Sequence, residues 1–294
     1  MKSFKGLMTP IITVFDKNDV VSIKGLREHV NFLLENGVDM IFPCGSTGEF
    51  TKLSDKEYQL VIKTIVDEVN GKVPVFAGTA ADSTKNTIIN SKYAEDVGTD
   101  GVVIIPPYFS KIDENDMYAH YKSVSEIISI PIMLYNNPGR AMIDVKPEII
   151  ARLGDEGYID YVKESSGDVR RCSKIIKLTD NVDVFIGTDT IVSEALFMGA
   201  TGWVCSSSNL IPKECAQIMD AAMDEDWSKV KSIFYKVYPL LEFIESGLLL
   251  PACKQGIKMR GRDVGLPRKP ILPLEKQEGE KLKELLNNLG HIEK

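Results

Sequence analysis

"MIFPCGSTGEFTKLSDKEYQLVIKTIVDEVNGKVPVFAGT", residues 40–79, has a short apolar run at each end and a long amphipathic stretch between them. The runs 40–45 and 74–79 are typical of buried strands, because they are brief, apolar and bounded by turn residues. In the middle, apolar residues recur at helical spacing, with Ser54 suited to begin the helix and Gly71 to end it. The stretch therefore predicts a strand, a helix and a second strand.

The same alternation continues along most of the chain. Further strands are predicted at 7–15, 101–107, 131–136, 158–164, 182–188 and 202–207. Eight strands separated by helices predict a parallel sheet closed by right-handed crossovers. The predicted fold class is therefore α/β, a (β/α)8 TIM barrel over residues 1–223, followed by a C-terminal helical extension over residues 224–294. A doubly wound open sheet is the competing architecture.

Composition excludes several classes of partner. The chain carries a net charge of −7 and has no basic excess, so neither nucleic acid nor an anionic membrane surface is expected to bind it. Its apolar runs are too short to span a membrane. The five cysteines form no C-x-x-C pair, which favours a reducing cytoplasm over disulfides or zinc. Three histidines without metal-ligand spacing, and no glycine-rich nucleotide loop, predict neither metal nor cofactor.

In a barrel of this class, chemistry is expected where strands end and the following loops begin. The second predicted strand runs into "GSTGE", which includes Gly45, Ser46 and Thr47. Free backbone N–H groups and two hydroxyls in a tight turn suit a carboxylate. The alternative is an ordinary glycine-rich turn whose serine caps the next element.

"YVKESSGD", residues 161–168, places Lys163 near the end of the sixth predicted strand, on the same face as Tyr161. If that face is the inner one, burial disfavours the charged ammonium and leaves an amine that can attack a carbonyl. Tyr135 ends the neighbouring fifth strand, and Arg140 follows a Pro-Gly turn. The alternatives are a solvated charge for Lys163, a packing residue for Tyr135 and a surface charge for Arg140.

These residue types together indicate one kind of chemistry. An imine between a lysine and a 2-keto acid acts as an electron sink, so that a proton or a carbon can leave the neighbouring carbon. The reaction requires a lysine, a carboxylate-binding turn and a hydroxyl that shuttles protons, but no metal. The sequence contains all three groups, so we expect a small-molecule 2-keto acid as substrate.

The motifs "GSTGEF", "PPYF", "YNNPGR" and "VKESSGD" occur in the order and at the strand ends typical of one family. In these motifs the chain resembles the dihydrodipicolinate synthase and N-acetylneuraminate lyase family of Schiff-base aldolases and lyases, and the resemblance covers nearly its whole length. The family's catalytic positions correspond to Lys163, which forms the imine, Tyr135, which shuttles protons, and Ser46, which is linked to the tyrosine hydroxyl.

The resemblance also implies substrate-binding residues and an assembly. Thr47 and the turn at Gly45 would bind the keto-acid carboxylate, and Arg140 the carboxylate of a second substrate. Gly187 and Val204, near the ends of strands seven and eight, complete the predicted substrate-binding set. The family is further expected to form a homotetramer, a dimer of dimers.

One departure from the family decides which branch the sequence favours. After the fourth strand the synthase branch has a motif that resembles "PYY", whose second tyrosine reaches across a subunit interface, whereas this chain has "PPYF" with Phe109, which lacks a hydroxyl. Ser46 also replaces the threonine usual in the synthase, although Arg140 is typical of that branch.

The favoured function is therefore a Schiff-base lyase or aldolase acting on pyruvate or a longer 2-keto acid, as in the sialate-lyase, keto-deoxy sugar acid aldolase or dehydratase branches. The alternative is dihydrodipicolinate synthase, which condenses pyruvate with aspartate semialdehyde. A remote alternative is a barrel that binds a keto acid without trapping it.

Overall fold

A computed structural model describes residues 4–292 of the chain. The strands are β1 (Gly6–Pro10), β2 (Met40–Phe42), β3 (Phe76–Gly78), β4 (Gly101–Ile104), β5 (Ile132–Asn136), β6 (Tyr161–Glu164), β7 (Asp183–Ile186) and β8 (Gly202–Val204). The helices are α1 (Ile23–Glu35), α2 (Asp55–Val69), α3 (Thr84–Asp96), α4 (Glu114–Ser125), α5 (Pro147–Asp155), α6 (Arg170–Leu178), α7 (Val192–Phe197), α8 (Pro212–Met223), α9 (Trp227–Phe243), α10 (Leu249–Met259) and α11 (Lys276–Leu289). Short 3-10 turns occur at Phe50–Lys52, Asp189–Ile191 and Ser207–Asn209, and a π-helical turn at Ile244–Leu248.

The eight strands belong to one sheet, and a helix follows each of them. This confirms the predicted class, a (β/α)8 barrel with a C-terminal helical extension that contains α9, α10 and α11. Within residues 224–292 the structure has no strand, as the sequence predicted. The boundary at residue 223 between barrel and extension stays a prediction.

The chain comprises two compact units. The first contains residues 4–6 and 71–204, and its strands run in the order β8-β7-β6-β5-β4-β3, each parallel to its neighbours. The second contains residues 7–70 and 205–292, in which β1 and β2 pair in parallel with Met8 opposite Met40. The residues described contain no helix long and apolar enough to cross a membrane.

Local chemistry sets the helix ends. Ser22, Ser54 and Ser83 each accept a backbone N–H with the side-chain oxygen at the start of α1, α2 and α3, and for Ser54 this confirms the prediction. At α2, Ser54 and Glu57 form a reciprocal capping box. Beyond the same helix, Gly71 has a φ of +72°, which a residue with a side chain rarely adopts. These short-range signals explain why the helices appear where the sequence places them.

Several strands end earlier than predicted, and β2 is the instructive case. It covers Met40–Phe42 rather than 40–45. Pro43 has no N–H to donate to a neighbouring strand, and Cys44 has a φ of +57°, which is incompatible with extended backbone. Residues 43–49 are therefore free to form a turn at the C-terminal end of the strand.

Candidate active site

Aromatic packing identifies the inner face of the strands in the first unit. The Tyr161 ring on β6 meets Phe76 on β3 and Phe185 on β7, with ring centroids 5.8 and 5.9 Å apart and the rings nearly perpendicular. β3 and β6 are not neighbours in the sheet, so these side chains meet across its concave interior. Lys163 alternates in phase with Tyr161, and its side chain therefore also points inwards.

Lys163 and Tyr135 lie side by side on β6 and β5. They are direct partners in the parallel register. Both are buried, with 5% and 6% of their surfaces exposed. The Lys163 Nζ lies 3.9 Å from the centroid of the Tyr135 ring. The structure thus brings together the two residues that the sequence predicted to be catalytic in the first unit.

Gly187 lies next to the Lys163 side chain. A Cβ at this position would be 2.6 Å from Lys163 Cε and would overlap the hydroxyl of Ser165. Any larger residue would therefore displace the lysine. Within residues 4–292, the buried Ser165 hydroxyl has no hydrogen-bond partner. It is a polar group that a bound molecule could reach beside the lysine.

The electrostatic surroundings of Tyr135 stabilise its ionised form. Burial alone would raise the pKa of Tyr135, but the positive charges of Lys163 and Arg140, with hydrogen bonds from Asn137 and Lys163, lower it overall. The Asn137 Nδ2 donates to the Tyr135 hydroxyl oxygen at 2.9 Å. The phenol is therefore suited to take up and return a proton.

Arg140 and Val204 occupy different environments in the first unit. Arg140 is exposed in the turn after β5, where its backbone N–H donates to the carbonyl of Asn137 at 3.0 Å. Val204 is fully buried at the end of β8. An exposed guanidinium can receive an anion from solvent, whereas Val204 can offer only apolar contact.

The second unit contains the predicted carboxylate-binding turn. Gly45 packs against Phe42, since a Cβ on Gly45 would lie 2.6 Å from the ring. The carbonyl of Gly48 accepts a hydrogen bond from the Thr13 hydroxyl at 2.6 Å. Ser46 is half-buried and Thr47 is buried with 4% of its surface exposed. The turn therefore keeps its two hydroxyls in a fixed, partly desolvated position.

Two further contacts hold this turn. The Thr47 and Ser206 hydroxyls are hydrogen-bonded at 3.1 Å. Glu49, whose side chain is fully buried, pairs with Lys254 at 2.8 Å and with Lys52 at 3.0 Å. Its second oxygen also accepts the backbone N–H of Arg268 at 2.8 Å. The turn is thus linked to the loop after β8 and to the C-terminal helices of its own unit.

Phe109 lies at the surface of the chain. Its side chain is 82% exposed, and its backbone N–H donates to Asp82 at 2.8 Å. An apolar ring at this exposure supplies neither a hydroxyl nor a proton to the groups around Tyr135. The predicted departure from the synthase motif is therefore a real chemical difference.

Sequence reasoning passed over three polar residues near these groups, namely Asn137, Ser165 and Ser206. Asn137 and Ser165 each lie two residues beyond a predicted catalytic residue, but past the end of the strand, so their place in the motifs "YNNPGR" and "VKESSGD" was the signal that could have identified them. Ser206 gave no such signal beyond its position after the last strand. Among residues 4–292, no group of three or more histidine, cysteine, aspartate or glutamate side chains is arranged to hold a metal ion.

Comparison with known proteins supports the same chemistry. Residues 3–289 match the family described as the dihydrodipicolinate synthetase family. The 4-hydroxy-tetrahydrodipicolinate synthase of Geotalea uraniireducens is 36% identical over 292 residues, 98% of this chain and 100% of that protein. The synthase of the same name from Methanocaldococcus jannaschii has the same identity and coverage. The crystal structure of the chloride-inhibited dihydrodipicolinate synthase from Acinetobacter baumannii, complexed with pyruvate, gives a TM-score of 0.95 at 30% identity, covering 99% of this chain and 100% of that one.

Proposed function

The chain belongs to the dihydrodipicolinate synthetase family and is a lyase of the Schiff-base class, and on that premise we propose that it is a 4-hydroxy-tetrahydrodipicolinate synthase. Its substrates would be pyruvate and aspartate semialdehyde. The observation that carries the proposal is the buried Lys163, whose amine lies 3.9 Å from the Tyr135 ring centroid. A nucleophile and a proton shuttle thus stand together at the C-terminal ends of adjacent strands.

The comparisons favour this activity over the broader lyase that the sequence favoured. Relatives that are 36% identical along almost the entire chain carry the synthase name. Arg140, exposed beyond β5, also offers the planar fork that a second, carboxylate-bearing substrate requires. We therefore place the synthase first and keep the broader lyase as a second candidate.

The first chemical step is formation of the imine. The Lys163 amine attacks the ketone carbon of pyruvate, the adduct takes up one proton from solvent, and water leaves as the protonated carbon–nitrogen double bond forms; the same proton is released when the ring closes in the second step. The positive imine withdraws electrons from the adjacent methyl group. Tyr135 then accepts a methyl proton, and the resulting enamine holds the electron pair that forms the new bond.

The second step joins the two substrates. The enamine carbon attacks the aldehyde carbon of aspartate semialdehyde, and the aldehyde oxygen takes a proton from the Tyr135 phenol to become the hydroxyl. The amino group of the second substrate then attacks the imine carbon and closes a ring. Lys163 leaves as the free amine, so the enzyme returns to its starting state.

The remaining residues would bind the substrates. We assign the pyruvate carboxylate to Thr47 and the backbone of the turn at Gly45, with Ser46 connecting that turn to the proton shuttle. Arg140 would bind the carboxylate of aspartate semialdehyde. Gly187 leaves space beside Lys163, and Val204 would supply apolar contact.

Covalent trapping tests the proposal at its first step. The purified protein is incubated with pyruvate, reduced with borohydride and digested, and the adduct is located by peptide mass spectrometry. We expect a pyruvyl adduct on Lys163 and none in Lys163→Ala. Lys174→Ala, a surface lysine paired with Glu148, is the matched control and should still be trapped. Full activity in Lys163→Ala would overturn the imine mechanism, and release of reversibly bound pyruvate without any adduct would indicate a binding protein.

Phe109 favours the second candidate, a lyase or aldolase acting on a longer 2-keto acid. If the hydroxyl missing at Phe109 limits condensation, Phe109→Tyr should gain turnover with aspartate semialdehyde while pyruvate trapping stays the same. If the wild-type protein traps pyruvate, but neither it nor Phe109→Tyr condenses pyruvate with aspartate semialdehyde, the synthase assignment is wrong. Longer keto acids would then be screened for cleavage.

We also propose a homotetramer in the cytoplasm. The assembly is the one that the family resemblance implies, and the Phe109 ring, which is 82% exposed, is an apolar side chain that such an assembly would bury. The five cysteines are all free and buried, which supports a reducing compartment. Sedimentation at several protein concentrations tests the assembly, and a monomer at all of them would contradict it.

A further inference from the structure

Asn137 makes a contact with Tyr135 to which no role has yet been assigned. It lies two residues beyond Tyr135, directly after β5 ends at Asn136. The Asn137 Nδ2 donates to the Tyr135 hydroxyl oxygen at 2.9 Å. An amide N–H can donate a hydrogen bond but does not titrate near neutral pH. Asn137 can therefore direct the phenol without carrying a proton itself.

We propose that Asn137 is a positioning residue that holds the Tyr135 oxygen as a hydrogen-bond acceptor, so that Tyr135 takes the methyl proton from the pyruvate imine. This inference rests on the proposed function and deepens it. A donor aimed at the phenol oxygen favours the phenolate over the neutral phenol. The remaining lone pairs of that oxygen stay available to accept the methyl proton.

The backbone of Asn137 is itself fixed. Its carbonyl accepts the N–H of Arg140 at 3.0 Å and that of Ala141 at 2.9 Å. Pro138 follows directly, and a residue before proline is restricted to extended conformations. The side chain consequently starts from a constrained position and reaches Tyr135 with little conformational freedom to lose.

The loop that begins at Asn137 is closed at its base by Asn136. The Asn136 side chain accepts the Val145 N–H at 2.9 Å and donates to Glu164 at 3.1 Å. Asn136 and Glu164 are register partners on β5 and β6, one residue beyond Tyr135 and Lys163. The same contacts therefore hold the ends of both catalytic strands and both ends of the loop.

A charged cluster on the outer face completes this support. Arg171 on α6 donates to Glu164 at 3.2 Å and to Asp144 at 3.2 Å. It also donates to the carbonyl of Val145. The Glu164 side chain is 1% exposed and that of Arg171 is 14% exposed, so solvent screens their interaction only weakly. Asn137 thus projects from a loop that is held in place.

Two charged groups face Tyr135 from the packed elements of its unit, Lys163 from β6 and Arg140 from the loop. Both are cations, and they lower the pKa of Tyr135 together with the Asn137 hydrogen bond, against the effect of burial. A neutral hydrogen bond of ordinary strength changes an equilibrium by a factor of about 2 to 10. Removing Asn137 should therefore raise the pKa of Tyr135.

The experiment measures proton transfer without the second substrate. Pyruvate is incubated with the protein in deuterium oxide, and exchange of its methyl protons is followed by NMR across a range of pH. Since Tyr135 acts as a base, exchange should fall on the acidic side of its pKa. We expect the midpoint of that fall to move upwards by about 0.3 to 1 pH unit in Asn137→Ala. Met142→Ala, a 66% exposed residue in the same loop, should match the wild type.

Asn137→Asp provides a second variant of the same size if Asn137→Ala does not fold. A carboxylate cannot donate a hydrogen bond and repels the phenolate. The midpoint of the exchange profile should therefore move further upwards in Asn137→Asp than in Asn137→Ala. An unchanged or lower midpoint in Asn137→Ala or Asn137→Asp would overturn the inference. Borohydride trapping on Lys163 separates this outcome from failure of the proposed function. Adduct formation with an unaltered pH profile refutes only the role of Asn137, whereas absence of adduct in the wild type refutes the imine chemistry.

Discussion

Replacing Lys254 by alanine should destabilise the protein strongly, although Lys254 is one charge on a charged helix. Its Nζ lies 2.8 Å from Glu49, and the two side chains are 1% and 0% exposed. In Lys254→Ala the Glu49 carboxylate stays buried. It then keeps its contacts with the Lys52 ammonium at 3.0 Å and the Arg268 backbone N–H at 2.8 Å. The remaining partners compensate part of its charge.

The magnitude follows from this geometry. Removing one partner of a buried ion pair costs about 3 to 5 kcal/mol, and the contacts that remain place Lys254→Ala near the lower end. The Lys254 Nζ also lies 4.3 Å from the centroid of the Phe15 ring, a cation–π contact of about 0.5 to 1 kcal/mol. Unfolding of a 294-residue chain has an entropy of about 0.6 kcal/mol/K, from about 2.1 cal/mol/K per residue. A loss of about 3 to 4 kcal/mol should therefore lower Tm by about 5 to 7 °C.

Thermal unfolding by calorimetry, at one protein concentration and scan rate, measures this effect. Lys258→Ala is the matched control, since Lys258 lies one turn further along α10 and is exposed. Its Tm should change by no more than about 1 °C. Lys254→Met combined with Glu49→Gln should recover most of the loss, because both buried charges are removed together. If Lys254→Ala unfolds within about 2 °C of the wild type, the buried pair does not contribute as argued.

Other predictions test the catalytic groups and the buried histidines. Tyr135→Phe should still form the borohydride adduct on Lys163 but slow methyl-proton exchange by about 10² to 10⁴-fold, and an unchanged exchange rate would exclude Tyr135 as the base. Arg140→Ala should leave that adduct unchanged and raise KM for aspartate semialdehyde by about 10 to 100-fold, because a charge-assisted hydrogen bond is lost. If steady-state kinetics give the same KM for the variant and the wild type, Arg140 does not bind that substrate. Burial lowers the pKa of His29 to about 3, with the Arg262 charge acting in the same direction, and burial lowers that of His120 to about 4. Both folded-state pKa values lie below the ordinary 6.5. The contribution of each neutral histidine to the free energy of unfolding is therefore complete above pH 6.5 and is lost as pH falls towards 4. Denaturant titrations measure the free energy of unfolding at each pH. Between pH 6.5 and 4.5 this free energy should fall by about 2 kcal/mol less in His120→Gln than in the wild type, whereas equal decreases in both proteins would show that His120 is not buried as a neutral group.

The sequence was sufficient to predict the fold class, because the signals that define each element act over a few residues. Hydrophobic period distinguishes the runs at 40–45 and 74–79 from the helix between them, and the Ser54 side chain caps that helix by accepting the backbone N–H of Glu57. The order of strands and helices then leaves few ways of connecting a parallel sheet. The C-terminal end of β2 was less well predicted, since Cys44 adopts a left-handed φ that composition does not reveal.

The pairing of Lys163 with Tyr135 could also be predicted in part. Both residues end consecutive strands, and consecutive strands of a parallel barrel are usually neighbours. Alternation placed Lys163 on the face of Tyr161, yet sequence alone left open which face is the inner one. The meeting of Tyr161 with Phe76 and Phe185 answers this, and it depends on the curvature of the strands from β3 to β7.

The sequence by itself thus determined the order of elements, their caps and the residue types available at each strand end. Only the tertiary structure decided how those groups are held. A lysine is usually a surface residue, but Lys254 is buried because Glu49, far earlier in the chain, supplies the opposite charge. Likewise, Glu164 and Arg171 support the loop of Asn137 from the outer face. Burial and hydrogen bonding depend on neighbours distant in sequence, and those neighbours come within reach only when the chain has folded.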